Sequence, residues 1–395
     1  MPRLRYDLEA RKPYLVPEFS DAEYDRRIAA LCAGMAAEGF DALCVSGNAA
    51  SPSAIRYLTN YVPAFGSAFV VVRHDGTVTV TTDALLHGEP MHSMIWACRV
   101  ADVRAARGPV YGGSADEVAV LAADAATGAA RIGLIGSPIL PFALHAALVA
   151  RLPGLRPADH LLSSIRLLKS DEEVAKMREA GRIADVAMGA VFQALRAGAQ
   201  ETEVAAAGVE RLHALGAREG FATCVVGGAQ AGLKHGTPRR RVLVGSEMVF
   251  IDLGAAFDGY MSDVSRCTVV GTAEGAGLTA LNVGLDLYRA GLEVMGPGRT
   301  IDDVSNALLA VVRGTKFEQY YCPGGFGHGI GMSVIETPGL YAGNPTELRP
   351  RMTLAYEPMV VIEGLGTGVV EDTLLITETG FERLTQYPVV TWSSR

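Results

Sequence analysis

The stretch Met248–Arg266 reads M-V-F-I-D-L-G-A-A-F-D-G-Y-M-S-D-V-S-R, and the interpretation of the whole chain turns on it. Met248–Leu253 and Tyr260–Cys267 have the composition of strands, and Gly254–Gly259 supplies turn chemistry between them. A turn centred near Phe257 sets Asp252 directly opposite Asp263 on one face of a hairpin. Opposed side chains have Cβ atoms about 4.5–5.5 Å apart, and like charges there are destabilising. Two carboxylates so placed call for a cation or a shared proton between them. The alternative is a polar hairpin tip whose aspartates splay into water.

A second acid pair of the same kind lies near the C-terminus. Met352–Ile362 and Gly368–Thr377 are strand-like, with Gly364-Leu365-Gly366 between them. Folding about Gly364 sets Glu357 opposite Glu371. Between the two hairpins lies Gly327-His328-Gly329-Ile330-Gly331, whose glycines let backbone or ligand come close. Four carboxylates and one histidine make a hard, oxygen-rich set suited to two divalent metal ions of the Mn, Fe, Co or Zn type.

Asp252, Asp263, His328, Glu357 and Glu371, in this order, resemble the metal-ligand set of the pita-bread metallopeptidases, the family of methionine aminopeptidase, aminopeptidase P, prolidase and creatinase. The patterns I-D-L-G-(x)4-G-Y-M-S-D-V-S-R, G-H-G-I-G and V-E-D-T-L-L-I-T are similar to those of the family over about residues 165–390. The resemblance implies an α+β pita-bread catalytic domain behind an α/β, RNase H-like, creatinase-type N-terminal domain. It implies that Asp252 ligates one ion in bidentate fashion, that Asp263 and Glu371 bridge both, and that His328 completes one shell. A metal-bridging hydroxide would then attack a carbonyl carbon. Glu357, also a ligand, would take its proton, and His235 would donate to the developing oxyanion. Thr268 and Asp372 are candidates for supporting these ligands.

Composition sets the outer limits of the reading. The chain has 395 residues, 49% hydrophobic and 20% charged, enough for a large core in two domains. The net charge of −8, with arginines scattered apart from Arg239-Arg240-Arg241, argues against a nucleic-acid footprint. The N-terminal M-P-R-L-R-Y-D-L-E lacks the apolar core of a signal peptide, and no run of about 18 apolar residues suggests a membrane span. Six cysteines without a CxxC spacing read as reduced thiols in a cytoplasmic protein.

Residues 1–20 form a charged arm. Asp21–Glu38 is an amphipathic helix, followed by strands at Ala42–Ser46, Ser67–Val72, Val78–Thr81 and Arg131–Ile135. Helices fall at Ala115–Ala126 and Phe142–Leu152, and Pro153–Pro157 reads as a surface turn. His74, His87, His92, His145 and His160 have no ligand-like spacing. The boundary near Ser163–Lys169 divides a creatinase-type domain over 1–163 from a catalytic domain over 164–395. Ser170-Asp171-Glu172-Glu173 is a capping box that opens a long helix. Further helices run from about Thr202 to Ala214, Gly277 to Val294 and Ile301 to Val312.

Two positions bear on substrate. Relatives that cleave next to proline carry a second histidine seven residues after the metal histidine, where this chain has Ile335. They carry an arginine two residues before the last metal glutamate, where it has Val369. Neither residue donates a hydrogen bond. Both either shape a substrate pocket for an apolar or neutral group or fill core space. The expected substrate is a small molecule or short peptide cleaved at an amide-type C–N bond. The alternatives are creatinase-like or ectoine-hydrolase-like C–N hydrolysis, a metal-dependent lyase, and a non-catalytic binding module. The resemblance also implies a homodimer whose Thr59–Ser67 loop, with Tyr61 and Phe65 exposed, borders the partner's site and its substrate.

Overall fold

The computed structural model describes residues 18–63, 66–82, 98–106, 115–232, 236–322 and 324–394. The chain divides into two units, Met1–Arg166 and Leu167–Arg395, the division falling inside the helix Asp159–Leu167.

In the first unit, α1 (Asp21–Glu38) starts at Ser20, whose hydroxyl accepts the Glu23 N–H at 3.2 Å, and stops at Gly39 in the left-handed conformation. Strand β1 (Ala42–Asn48) leads to α2 (Ser53–Thr59) and the hairpin β2 (Ser67–Arg73) and β3 (Val78–Thr82). Then come β4 (Asp102–Ala105), α3 (Ala115–Ala125), β5 (Ile132–Ile135), α4 (Phe142–Arg151), β6 (Leu155–Pro157) and α5 (Asp159–Leu167). The mixed sheet has the order β4-β3-β2-β1-β5-β6. Ala42 and Cys44 of β1 pack under α3 and α4, while Gly47 abuts Ile55 of α2 on the opposite face. A strand covered on both faces is apolar throughout, which is why Ala42–Val45 shows no alternation.

Two expectations are corrected here. Residues 155–157 are not a plain turn but an edge strand parallel to β5, a place where Pro157 removes no ladder donor. Tyr61 is not exposed: only 4% of it is accessible, and its hydroxyl lies 3.3 Å from Thr82 Oγ1. Phe65, the arm up to residue 17, His87 and His92 lie outside the described residues.

The second unit opens with the capping box. Ser170 Oγ accepts the Glu173 N–H at 3.2 Å, and Glu173 Oε2 accepts the Ser170 N–H at 2.6 Å, starting α6 (Asp171–Ala194). Helix α7 (Glu201–Ala214) packs on it and leads into β7 (Arg218–Glu219) and β8 (Cys224–Gly227). Next are β9 (Met248–Leu253), β10 (Ala255–Phe257), β11 (Tyr260–Met261), β12 (Val264–Val269) and β13 (Thr272–Ala273). Helices α8 (Gly275–Val294) and α9 (Ile301–Val312) form a second pair. The C-terminal strands are β14 (Gly327–Gly329), β15 (Glu336–Gly339), β16 (Thr353–Tyr356), β17 (Met359–Ile362), β18 (Gly366–Val369), β19 (Asp372–Ile376), β20 (Phe381–Arg383) and β21 (Ser393–Ser394).

Alternation along β9 sends its residues into two cores. Val249, Ile251 and Leu253 join α6 and α7 through Ile183, Met188, Val204 and Leu212. Met248 and Phe250 join Cys224, Val226, Cys267, Met359 and Val369 on the other face. Asp252 shares the Phe250 face by the period of two, so it emerges at the end of an apolar row.

Both hairpins depart from continuous strands. The first turns at Asp258-Gly259, with φ of +46° and +88°, so that Phe257 pairs with Tyr260 and Asp252 pairs with Ser265. Asp263 therefore sits diagonal to Asp252 rather than opposite it, in the link Ser262–Asp263 between β11 and β12. The second hairpin keeps the predicted register: Met359 pairs with Val369 and Tyr356 with Asp372, which places Glu357 level with Glu371. Its strands are interrupted at Glu357-Pro358, where proline offers no ladder donor, and at Val370-Glu371.

Candidate metal centre

Asp252 stays in the ladder of β9, whereas the other three acids are aimed by backbone contacts made at strand breaks. At the break before β12, Asp263 donates its N–H to Thr373 Oγ1 at 2.8 Å. At the break before β19, Glu371 donates its N–H to the Ser265 carbonyl at 3.1 Å, and Glu357 donates to the Phe326 carbonyl at 3.0 Å. Strands from two sheets thus converge on one point. Asp252, Asp263 and Glu371, all buried, each bring a carboxylate oxygen to within 4.8 Å of the others.

His328 enters from β14, between β15 and β16. A Cβ on Gly327 would meet the Ala355 carbonyl oxygen at 2.0 Å, and one on Gly329 would meet that of Thr337 at 2.4 Å. The flanking glycines therefore serve backbone approach. His328 Nδ1 lies 3.0 Å from the Gly329 carbonyl, which can only accept, so Nδ1 carries the proton. Nε2 is on the side of the acids, 3.9 Å from Asp263 Oδ2.

Burial, then the charges of Glu371, Asp252 and Glu357, hold the Asp263 carboxyl well above the usual carboxylate range. Four acids acting on one buried point are costly unless a cation compensates them. A hard oxygen set with one imidazole fits a divalent ion of the Mn, Fe, Co or Zn class. The five residues singled out in the sequence are thus brought together, whereas His235 lies outside the described residues.

Ile335 and Val369 have different fates. Ile335 is 72% exposed and fills no core space, whereas Val369 is buried against Phe250, Cys267 and Met359. Thr268 does not reach the acids; it lies on the opposite face of β12, and its hydroxyl donates to the Thr391 carbonyl at 2.8 Å. Ser265 was not anticipated. It is directly opposite Asp252 and 1% exposed, and the register shift of the hairpin turn is what places it there. The run Arg239–Arg241 is structural, since Arg239 and Arg241 each lie 3.6 Å from the fully buried Glu201.

Comparison with known proteins agrees with this geometry. Residues 175–378 match the model of metallopeptidase family M24, and residues 27–168 match that of the creatinase/prolidase N-terminal domain. The chain is 31% identical over 230 residues to an Xaa-Pro dipeptidase of Pyrococcus furiosus, covering 58% of this chain and 66% of that protein. It is 30% identical over 239 residues to an Xaa-Pro dipeptidase of Pyrococcus horikoshii, covering 60% and 68%. The match thus spans about two thirds of the length of these curated relatives. The prolidase structure from Pyrococcus horikoshii OT3 superposes with a TM-score of 0.81 at 24% identity, over 92% of this chain and all of that one. Dipeptidase PepE from Mycobacterium ulcerans gives 0.81 at 25% identity, over 95% and 99%. The fold is a creatinase-type α/β unit followed by an α+β pita-bread unit.

Proposed function

Since the chain belongs to metallopeptidase family M24, we propose that it is a dinuclear metal-dependent hydrolase that cleaves an amide-type C–N bond in a small or peptide-like substrate. The observation that carries this reading is the convergence of the Asp252, Asp263 and Glu371 oxygens within 4.8 Å, with His328 Nε2 3.9 Å from Asp263. Catalysis is assigned to residues 164–395, and residues 1–163 are the creatinase-type domain.

Asp252, Asp263, His328, Glu357 and Glu371 would hold two divalent ions of the Mn, Fe, Co or Zn type. The ions would supply Lewis acidity and lower the pKa of the attacking water. Glu357, less buried than Asp252, Asp263 and Glu371, is assigned to take and return a proton. His235 is assigned to hydrogen-bond the carbonyl oxygen as charge develops there. Ile335 presents an apolar side chain where related Xaa-Pro enzymes place a donor, and Val369 backs the site from the core. The protein is proposed to act in the cytoplasm as a homodimer.

The loss of two donors sets the specificity. Each missing hydrogen bond to a buried substrate group costs about 1–3 kcal/mol, roughly ten- to a hundredfold. Xaa-Pro dipeptides and proline-containing tripeptides should therefore turn over weakly with Mn or Co, and another amide should turn over better. Steady-state kinetics on a panel of peptides and small amides tests this. A kcat/KM for an Xaa-Pro peptide in the range of about 10⁴–10⁸ M⁻¹s⁻¹ would assign plain Xaa-Pro peptidase activity instead. No turnover of any amide would overturn the hydrolase reading.

A further inference from the structure

Asp263 and Glu371 are held by a buried polar network that the metal chemistry itself does not require. The Thr373 hydroxyl engages both peptide groups of Asp263, accepting its N–H at 2.8 Å and donating to its carbonyl at 2.9 Å. One hydroxyl therefore fixes the backbone on both sides of the Asp263 Cα. Thr373 is itself anchored, its N–H donating to Thr385 Oγ1 at 3.0 Å, and Thr385 donates to Asp372 Oδ1 at 2.8 Å.

Asp372 is the hub. Besides Thr385, it accepts from Arg266 at 2.9 Å, from Arg383 at 2.9 Å and from the Tyr288 hydroxyl. Arg266 makes five hydrogen bonds, to Asp372 and to the carbonyls of Ser265, Glu371, Tyr387 and Pro388. The five N–H donors of a guanidinium are thus committed. The Glu371 peptide is gripped from both sides, by the Ser265 carbonyl on its N–H and by Arg266 on its carbonyl. Arg266, Asp372, Thr373 and Thr385 are all fully buried.

Apolar pairs would join these strands with less desolvation cost than a buried ion pair. What a satisfied polar network adds is a single geometry. Here that geometry opposes a specific force, because neighbouring carboxylates repel and would otherwise splay apart. We propose that Thr373, Asp372 and Arg266 are positioning residues that hold Asp263 and Glu371 at the separation needed to share two ions, an inference that rests on the dinuclear reading above.

The test uses the full chain and titrates Mn²⁺ and Co²⁺ calorimetrically into the apo form of wild type, Thr373→Val and Thr373→Ser. Apo melting temperatures are recorded alongside. Thr373→Val should keep the first ion and lose roughly ten- to a hundredfold in affinity for the second, as loss of outer supports of metal ligands does. Thr373→Ser, which keeps the hydroxyl, should bind both ions as wild type does. A merely structural threonine would lower the apo melting temperature and leave both affinities unchanged, and that result overturns the proposal. Should Thr373→Val fail to fold, Thr385→Val, which frees the Thr373 N–H from the hub, is read by the same criteria. Wild type binding two ions with unaltered variants would sink this inference alone. Wild type binding none would sink the dinuclear reading as well.

Discussion

At the scale of single residues, the Asp263 carboxyl is buried among three other acids. Burial first, and then the charges of Glu371, Asp252 and Glu357, disfavour its ionised form. Removing Asp263, or removing Glu371, should lower the local repulsion and abolish shared coordination. Elemental analysis after reconstitution should find close to two ions per chain in the wild type. Clear loss is expected in Asp263→Ala and Glu371→Ala. A wild type that retained no Mn, Fe, Co or Zn would rule out a metal role for the five residues. Ile335 and Val369 show how far one residue can be read without its surroundings. Their sequence positions are equally suggestive, yet one is largely exposed and the other is core.

At the scale of elements, local rules held where the contacts that decide them are local. Helix α6 begins where the capping box requires. Its Glu173 serves twice, since Oε1 also accepts the Tyr260 hydroxyl just upstream of Asp263. Ser170→Ala should cost about 1 kcal/mol, seen in urea as a lower midpoint at unchanged slope. An unchanged midpoint would mean that the Tyr260 contact holds the helix start by itself. The first hairpin is the instructive miss. Asp258-Gly259 is the dipeptide that adopts positive φ at both central positions of a two-residue turn, and it outcompetes a turn centred on Phe257. The second hairpin had only Glu363-Gly364-Leu365 to turn on, with Gly364 at φ +76°, so its register followed directly from the sequence.

At the scale of the whole molecule, the testable property is assembly. The family resemblance implies a homodimer, and light scattering at micromolar concentration should give twice the chain mass of 41.6 kDa. The single-chain mass would refute it. Tyr61 no longer supports that expectation through exposure, because its ring and hydroxyl are taken up within its own unit. Among the described residues, no helix is long and apolar enough to cross a membrane.

The two acid pairs, the α/β order of the first unit and the capped start of α6 were readable from the chain, whereas the helices Ser53–Thr59 and Asp159–Leu167 were not. The pairs and the cap rest on local spacing, capping and turn chemistry, whereas the grouping of five residues into one set rests on the family resemblance. Only the tertiary structure decided that the acid-bearing strands break at Asp263, Glu357 and Glu371. It also decided that Ser265 faces Asp252 and that Thr373 clasps the Asp263 peptide from 110 positions away. A broken strand frees its backbone N–H and carbonyl groups, and those groups must be satisfied somewhere. Where their partners lie depends on which distant strands pack alongside, and local sequence carries no record of that.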